Sequence, residues 1–189
     1  MPRLAFAAAA ASLTVLAWAS WGPARAFELV VGGLAGHCSS DAKAGVFTQQ
    51  AIDICSRALS GEPLNEHDRA GTYVNRGAIE AHNMDWEAAQ ADFTEALRIM
   101  PGMGEAHIGM GAYLVRQERW AEAEAEVTRG LDLGTEEPEK GYYFRGLARW
   151  GQENFRGAYF DFQHASELKP GWSLPRQQMA NFKVTPAAG

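Results

Sequence analysis

Between Ala70 and Trp172 the chain repeats itself three times. Gly77, Gly111 and Gly146 stand 34 and 35 residues apart, and a large aromatic follows each one nine residues later, as Trp86, Trp120 and Phe155. Ala89, Ala123 and Ala158 come next, then Phe93, Val127 and Phe162, then Ala96, Gly130 and Ala165. The units run from Ala70 to Met103, from Gly104 to about Pro138, and from Glu139 to about Trp172. Pro101 and Pro170 close the first and third, while an insertion around Gly134-Thr135-Glu136-Glu137 lengthens the second. A fixed period of this size marks stacked supersecondary units, each too small to bury its own apolar face alone. Small residues of the Gly77 and Ala89 class let two antiparallel helices approach closely, and the aromatic and aliphatic positions fill the seam at helical spacing. Asp85 and Asn154 stand where second helices begin, and both are good N-caps. The pattern predicts an all-α chain.

These residues resemble the tetratricopeptide repeat. The match is strongest in Asp68–Pro101, DRAGTYVNRGAIEAHNMDWEAAQADFTEALRIMP, and in Tyr142–Pro170, YYFRGLARWGQENFRGAYFDFQHASELKP. One departure is the tyrosine usual after the first-helix glycine, replaced here by Glu80, Leu114 and Arg149. The resemblance implies a right-handed solenoid of about three helix pairs with N- and C-terminal capping helices. Ala51, Cys55, Ala58 and Pro63 carry the spacing of a second repeat helix, but Gly32 to Gly45 holds too many glycines for a convincing first one. Ala44 to Ser60 is therefore expected to be an N-terminal capping helix tied to the Cys38 segment. Leu174 to Phe182, with Pro175 allowed in a first turn, is the expected C-terminal cap, and Thr185 to Gly189 a frayed tail. The expected division is 1–26 signal peptide, 27–66 N-terminal segment and capping helix, 67–172 repeats, and 173–189 C-terminal cap and tail. The two cysteines, Ser56-Arg57 and Asn75-Arg76-Gly77 also resemble a group of small exported repeat proteins of proteobacteria, over residues 38 to 170, which implies scaffolding and names no ligand.

Several features agree with export. Arg3 gives a positive start, Leu4 to Trp18 is apolar, and Ala24-Arg25-Ala26 has the small-x-small form that signal peptidase accepts. Cleavage after Ala26 would remove Arg3 and Arg25 and no acid, moving the formal net charge from −6 to −8. An acidic chain without a basic cluster argues against nucleic acid or an anionic membrane surface as the main partner, and later apolar stretches are all interrupted by charges. Cys38 and Cys55 are the only cysteines. In an oxidising compartment they would close a loop of roughly 17 residues, adding roughly 3 kcal/mol by loop entropy. The protein is expected to be periplasmic or secreted.

Catalytic chemistry leaves little trace. His37, His67, His82, His107 and His164 show no metal-ligand spacing, Glu66-His67-Asp68 sits where acids favour a helix start, and Glu118, Glu122, Glu124 and Glu126 read as one solvated helix face. No enzyme activity, cofactor or metal is expected. By the geometry of the family, the concave groove is formed mostly by first helices, and its facing residues here include Val74, His82, Ile108, Arg116, Tyr143, Phe144, Leu147 and Trp150. Some members clamp a peptide's terminal carboxylate with paired lysines and asparagines; Val74 and Ala78 stand in place of the crucial pair, so that mode is not expected. The groove should be apolar and aromatic, most strongly around Tyr143 and Trp150, and should hold a segment of a partner protein. The alternative is a carbohydrate-binding or enzyme-accessory envelope protein using surface tryptophans. Self-association through exposed apolar ends is the third reading.

Overall fold

A computed structural model describes residues 33–183. The expected signal peptide and the tail from Thr185 lie outside the described residues. Among those residues there are nine helices and no strand, and the molecule is an all-α solenoid. The three repeats are the hairpins α3 (Glu66–His82) with α4 (Trp86–Ile99), α5 (Gly104–Arg116) with α6 (Trp120–Leu133), and α7 (Pro138–Gly151) with α8 (Phe155–Leu168). Before them lie α1 (Gly33–Ala44) and α2 (Gln49–Gly61), and after them α9 (Ser173–Met179).

The hairpins close where side chains are absent. A Cβ on Gly77 would lie 2.9 Å from Phe93 Cε1, and one on Gly146 would lie 2.7 Å from Phe162 Cε1. Ala89, Ala96, Ala123, Ala158 and Ala165 are fully buried beside these contacts, with Phe93, Val127 and Phe162. Gly130, where the other units have alanine, is needed because a Cβ there would meet the Gly104 carbonyl at 2.6 Å. The caps form as the sequence predicts: Asp85 Oδ1 accepts from Ala88 N at 3.1 Å and Asn154 Oδ1 from Gly157 N at 3.0 Å.

The N-terminal segment corrects the sequence reading. Residues expected to be irregular form α1, and the expected helix over Ala44–Ser60 begins only at Gln49, where Thr48 caps it through Ala51 N. The glycines bound α1 rather than interrupt it. Gly33 and Gly45 adopt positive φ at its two ends, and Gly36, its one interior glycine, faces open space. The free N–H groups of Leu34 and Ala35 donate to the Glu62 carboxylate at 2.5 and 3.0 Å, a cap supplied from the end of α2. The Cys38–Cys55 disulfide joins the two helices, both sulfurs being fully buried. This end is thus a fourth helix pair rather than a single capping helix.

Candidate functional site

The first helices touch one another in a row, α1 on α3, α3 on α5 and α5 on α7, whereas the second helices show no comparable packing among themselves. Closer spacing on one side than on the other bends the stack, so α1, α3, α5 and α7 line its inner, concave face. This is the surface on which the sequence places a groove.

The structure divides the expected groove residues into three groups. Ile108 is 5% exposed, wedged against Gly130 and Gly141, and so belongs to the seam rather than to a groove. At the C-terminal end the apolar face is filled. Trp172 packs on Tyr143 with ring centroids 4.9 Å apart, and Phe182 packs on Trp150 at 5.2 Å. Phe144 and Leu147 join the same cluster, while burial pushes the Tyr143 hydroxyl above its ordinary pKa. The expectation of an accessible apolar and aromatic groove, strongest around Tyr143 and Trp150, is therefore corrected: the chain covers these rings with Trp172 and Phe182, on either side of its own α9. The third group stays accessible. Val74 is half-buried beside Ala70, Arg116 is exposed without a carboxylate in salt-bridge range among the described residues, and exposed His82 stacks on Phe47 at 3.7 Å.

The tryptophans that motivated a carbohydrate surface are packed in seams. Trp86 Nε1 is buried without a partner, Trp120 lies against Gly151, and Trp150 and Trp172 belong to the C-terminal cluster. Among the described residues no group of three His, Cys, Asp or Glu side chains could hold a metal ion, and no helix is long and apolar enough to cross a membrane.

Known proteins share this arrangement. No protein-family model matches the chain. The chain superimposes on the tetratricopeptide repeat domain of OM64 from Arabidopsis with a TM-score of 0.52 and 19% identity, over 62% of this chain and 98% of that one. For a tetratricopeptide repeat protein from Parabacteroides merdae the TM-score is 0.56 with 18% identity, over 78% and 56% of the two chains. This is the tetratricopeptide-repeat fold. MamA from Desulfovibrio magneticus RS-1 shares it, with a TM-score of 0.54 and 18% identity over 78% of this chain and 82% of that one. In sequence, the chain is 31% identical over 98 residues to the protein O-mannosyl-transferase Tmtc1 of Drosophila melanogaster. That match takes in 51% of this chain but spans only 11% of the relative's length.

Within the tetratricopeptide units the structure also places a ladder of charge pairs that the sequence reading missed. Arg76 grips Asp92 in the first repeat, Nε to Oδ2 at 2.8 Å and Nη2 to Oδ1 at 2.7 Å, and reaches Ser56 Oγ at 2.9 Å. Arg145 makes the same fork on Asp161 in the third, at 3.1 and 2.9 Å, with Arg149 adding a bond of 2.8 Å. The middle repeat has Met110 in place of the arginine. There His107 takes over, its Nδ1 lying 2.7 Å from Glu126 Oε2 while Nε2 bonds the Pro101 carbonyl at 2.9 Å. The recurrence of Arg76, Met110 and Arg145, and of Asp92, Glu126 and Asp161, at the repeat period was the available signal. These pairs tie first helix to second, so His107 has a structural role.

Proposed function

We propose that the protein is a periplasmic interaction module that holds an extended or helical segment of another envelope protein along its concave face. The observation that carries this reading is the accessible set on that face, Val74, His82 with Phe47, and Arg116. A ledge offering one aromatic stack and one unpaired guanidinium suits a peptide with an apolar side chain next to an acidic one. The leader-like residues 1–26 and the disulfide support the periplasmic location.

A photo-crosslinker at exposed Gln117, next to Arg116, should capture a defined envelope protein from cells, and His82→Glu with Arg116→Glu should remove that product. Both side chains are exposed, so the melting midpoint should stay within a few degrees of the parent. An unchanged crosslink in the doubly substituted protein would move the binding surface elsewhere.

A further inference from the structure

The outer face of α8 departs from the pattern of the second helices before it. Arg156, Phe160, Gln163 and Glu167 recur at three- and four-residue intervals and form one stripe, opposite the buried Ala158, Phe162 and Ala165. At the repeat period Phe160 corresponds to Ala91 on α4 and Ala125 on α6. The earlier units therefore show solvent a methyl group where the third shows a phenyl ring that is 54% exposed. The charges at the two ends of the stripe are also set against their own helix. Arg156 lies in the first turn of α8, which holds no acid, and Glu167 in the last, which holds no base, so both oppose the helix dipole. In α4 the order is the favourable one, with Glu87 at the start and Arg98 at the end. Among the described residues no carboxylate lies in salt-bridge range of Arg156, whose guanidinium stands over the Phe160 ring at 5.8 Å. Beside Phe160 a cavity of about 390 Å³ opens among Tyr142, Gln163, His164 and Glu167. Its walls are held in place: Tyr142 packs edge-on against His164 at 4.3 Å, and Asp161, which also lines it, is gripped by Arg145 and Arg149.

We propose that this stripe is a dimer interface, in which α8 packs antiparallel on α8 of a second copy of this chain and each Phe160 ring enters the recess beside the other. The charges fit that symmetry. Arg156 stands four residues before Phe160, and Glu167 four residues after Gln163, so a twofold axis between Phe160 and Gln163 sets Arg156 of each copy opposite Glu167 of the other. The same axis sets Phe160 opposite Gln163, against the recess. Charges unfavourable in the lone helix thereby gain partners. Because α8 lies on the outer side of the stack, the two inner faces would point apart and stay free, giving one particle two binding faces. That use rests on the partner-binding reading above, whereas the dimer does not.

A single helix pair is a small interface, so association should be reversible and concentration-dependent. Sedimentation velocity on the purified protein, from micromolar to millimolar concentration, should pass from one copy to two. Phe160→Ala, which installs the residue of the earlier repeats, should weaken association by about thirtyfold or more. Its melting midpoint in dilute solution should stay within a few degrees of the parent. Arg156→Glu and Glu167→Arg should each be monomeric alone, because either change makes both contacts between copies like-charged. Mixed in equal amounts, the two variants should pair with each other, since both contacts are then opposite in sign again. A parent that stays monomeric at every concentration, a dimer unmoved by Phe160→Ala or by the charge reversals, or two single variants that fail to pair would overturn the proposal. No partner protein is present, so each result is separate from that of the crosslinking experiment.

Discussion

Glu80 shows how one residue can carry a cost that the repeat pattern hides. It stands where the repeat usually has tyrosine, is 8% exposed, and has one carboxylate oxygen, Oε2, buried without a partner. Burial first, and then the neighbouring Asp92 carboxylate, push its pKa up to about 7, against the pull of Arg76 3.8 Å away. A carboxyl whose folded pKa lies above its unfolded value holds its proton more tightly in the native state. The protein is therefore most stable with respect to this group below the unfolded pKa near 4.5, and loses stability as pH rises from there to about 7. Glu80→Gln should then stabilise the protein by on the order of 2 kcal/mol at pH 8. The gain should shrink steadily as the pH is lowered and nearly vanish near the unfolded pKa. Denaturant titrations across that range check this, and a gain independent of pH would refute the assignment. Asp92 and Asp161 are the opposite case, buried carboxylates each satisfied by an arginine fork, where removing either partner would leave an uncompensated charge.

At the scale of helices, glycine has two opposite meanings. Gly146 is a contact: its α7 backbone lies against the Phe162 ring, and a leucine there has nowhere to go. Gly71, inside α3, has nothing within 4 Å of the position its Cβ would take. Gly146→Leu should lower stability by about 1–3 kcal/mol through overpacking, and Gly71→Ala should raise it by roughly 0.5–1 kcal/mol through helix propensity. Thermal melts of both variants give the comparison. Equal, small effects would mean that α7 and α8 do not meet as closely as their glycine requires. The same distinction explains how α1 departs from the sequence expectation. Counting glycines penalises a helix, but Gly33 and Gly45 bound α1 at positive φ, and the capping carboxylate comes from Glu62, 28 residues from Leu34.

For the molecule as a whole, the ends of the stack decide what surface remains. A solenoid must cover its terminal apolar faces, and this one does so with the disulfide-linked α1 and α2 at one end and with α9 and Phe182 at the other. Trp172→Ala together with Phe182→Ala should uncover Tyr143 and Trp150 and cost about 3 kcal/mol or more, since both rings are part-buried in an aromatic cluster. Crosslinking through Gln117 should survive in the fraction that remains folded. If the double variant kept its parent stability, the C-terminal segment would not be the cover for that face, and the rings would be available to a partner after all.

Local and periodic features were legible in the amino-acid order: the repeat length, the close contacts at Gly77 and Gly146, the caps at Asp85 and Asn154, and the pairing of Cys38 with Cys55. Each depends on neighbours within one helical hairpin or on a spacing that recurs, so the chemistry of the residues is enough to find it. The inner face could not be read in the same way. Whether Tyr143 is a binding ring or a buried one depends on Trp172, which reaches it from beyond the last repeat. The orphaned oxygen of Glu80 likewise depends on which side chains surround it after stacking. Periodicity assigns a residue to a face of its own helix, and only the stacking of the units and the segments that cover their ends determine what that face meets.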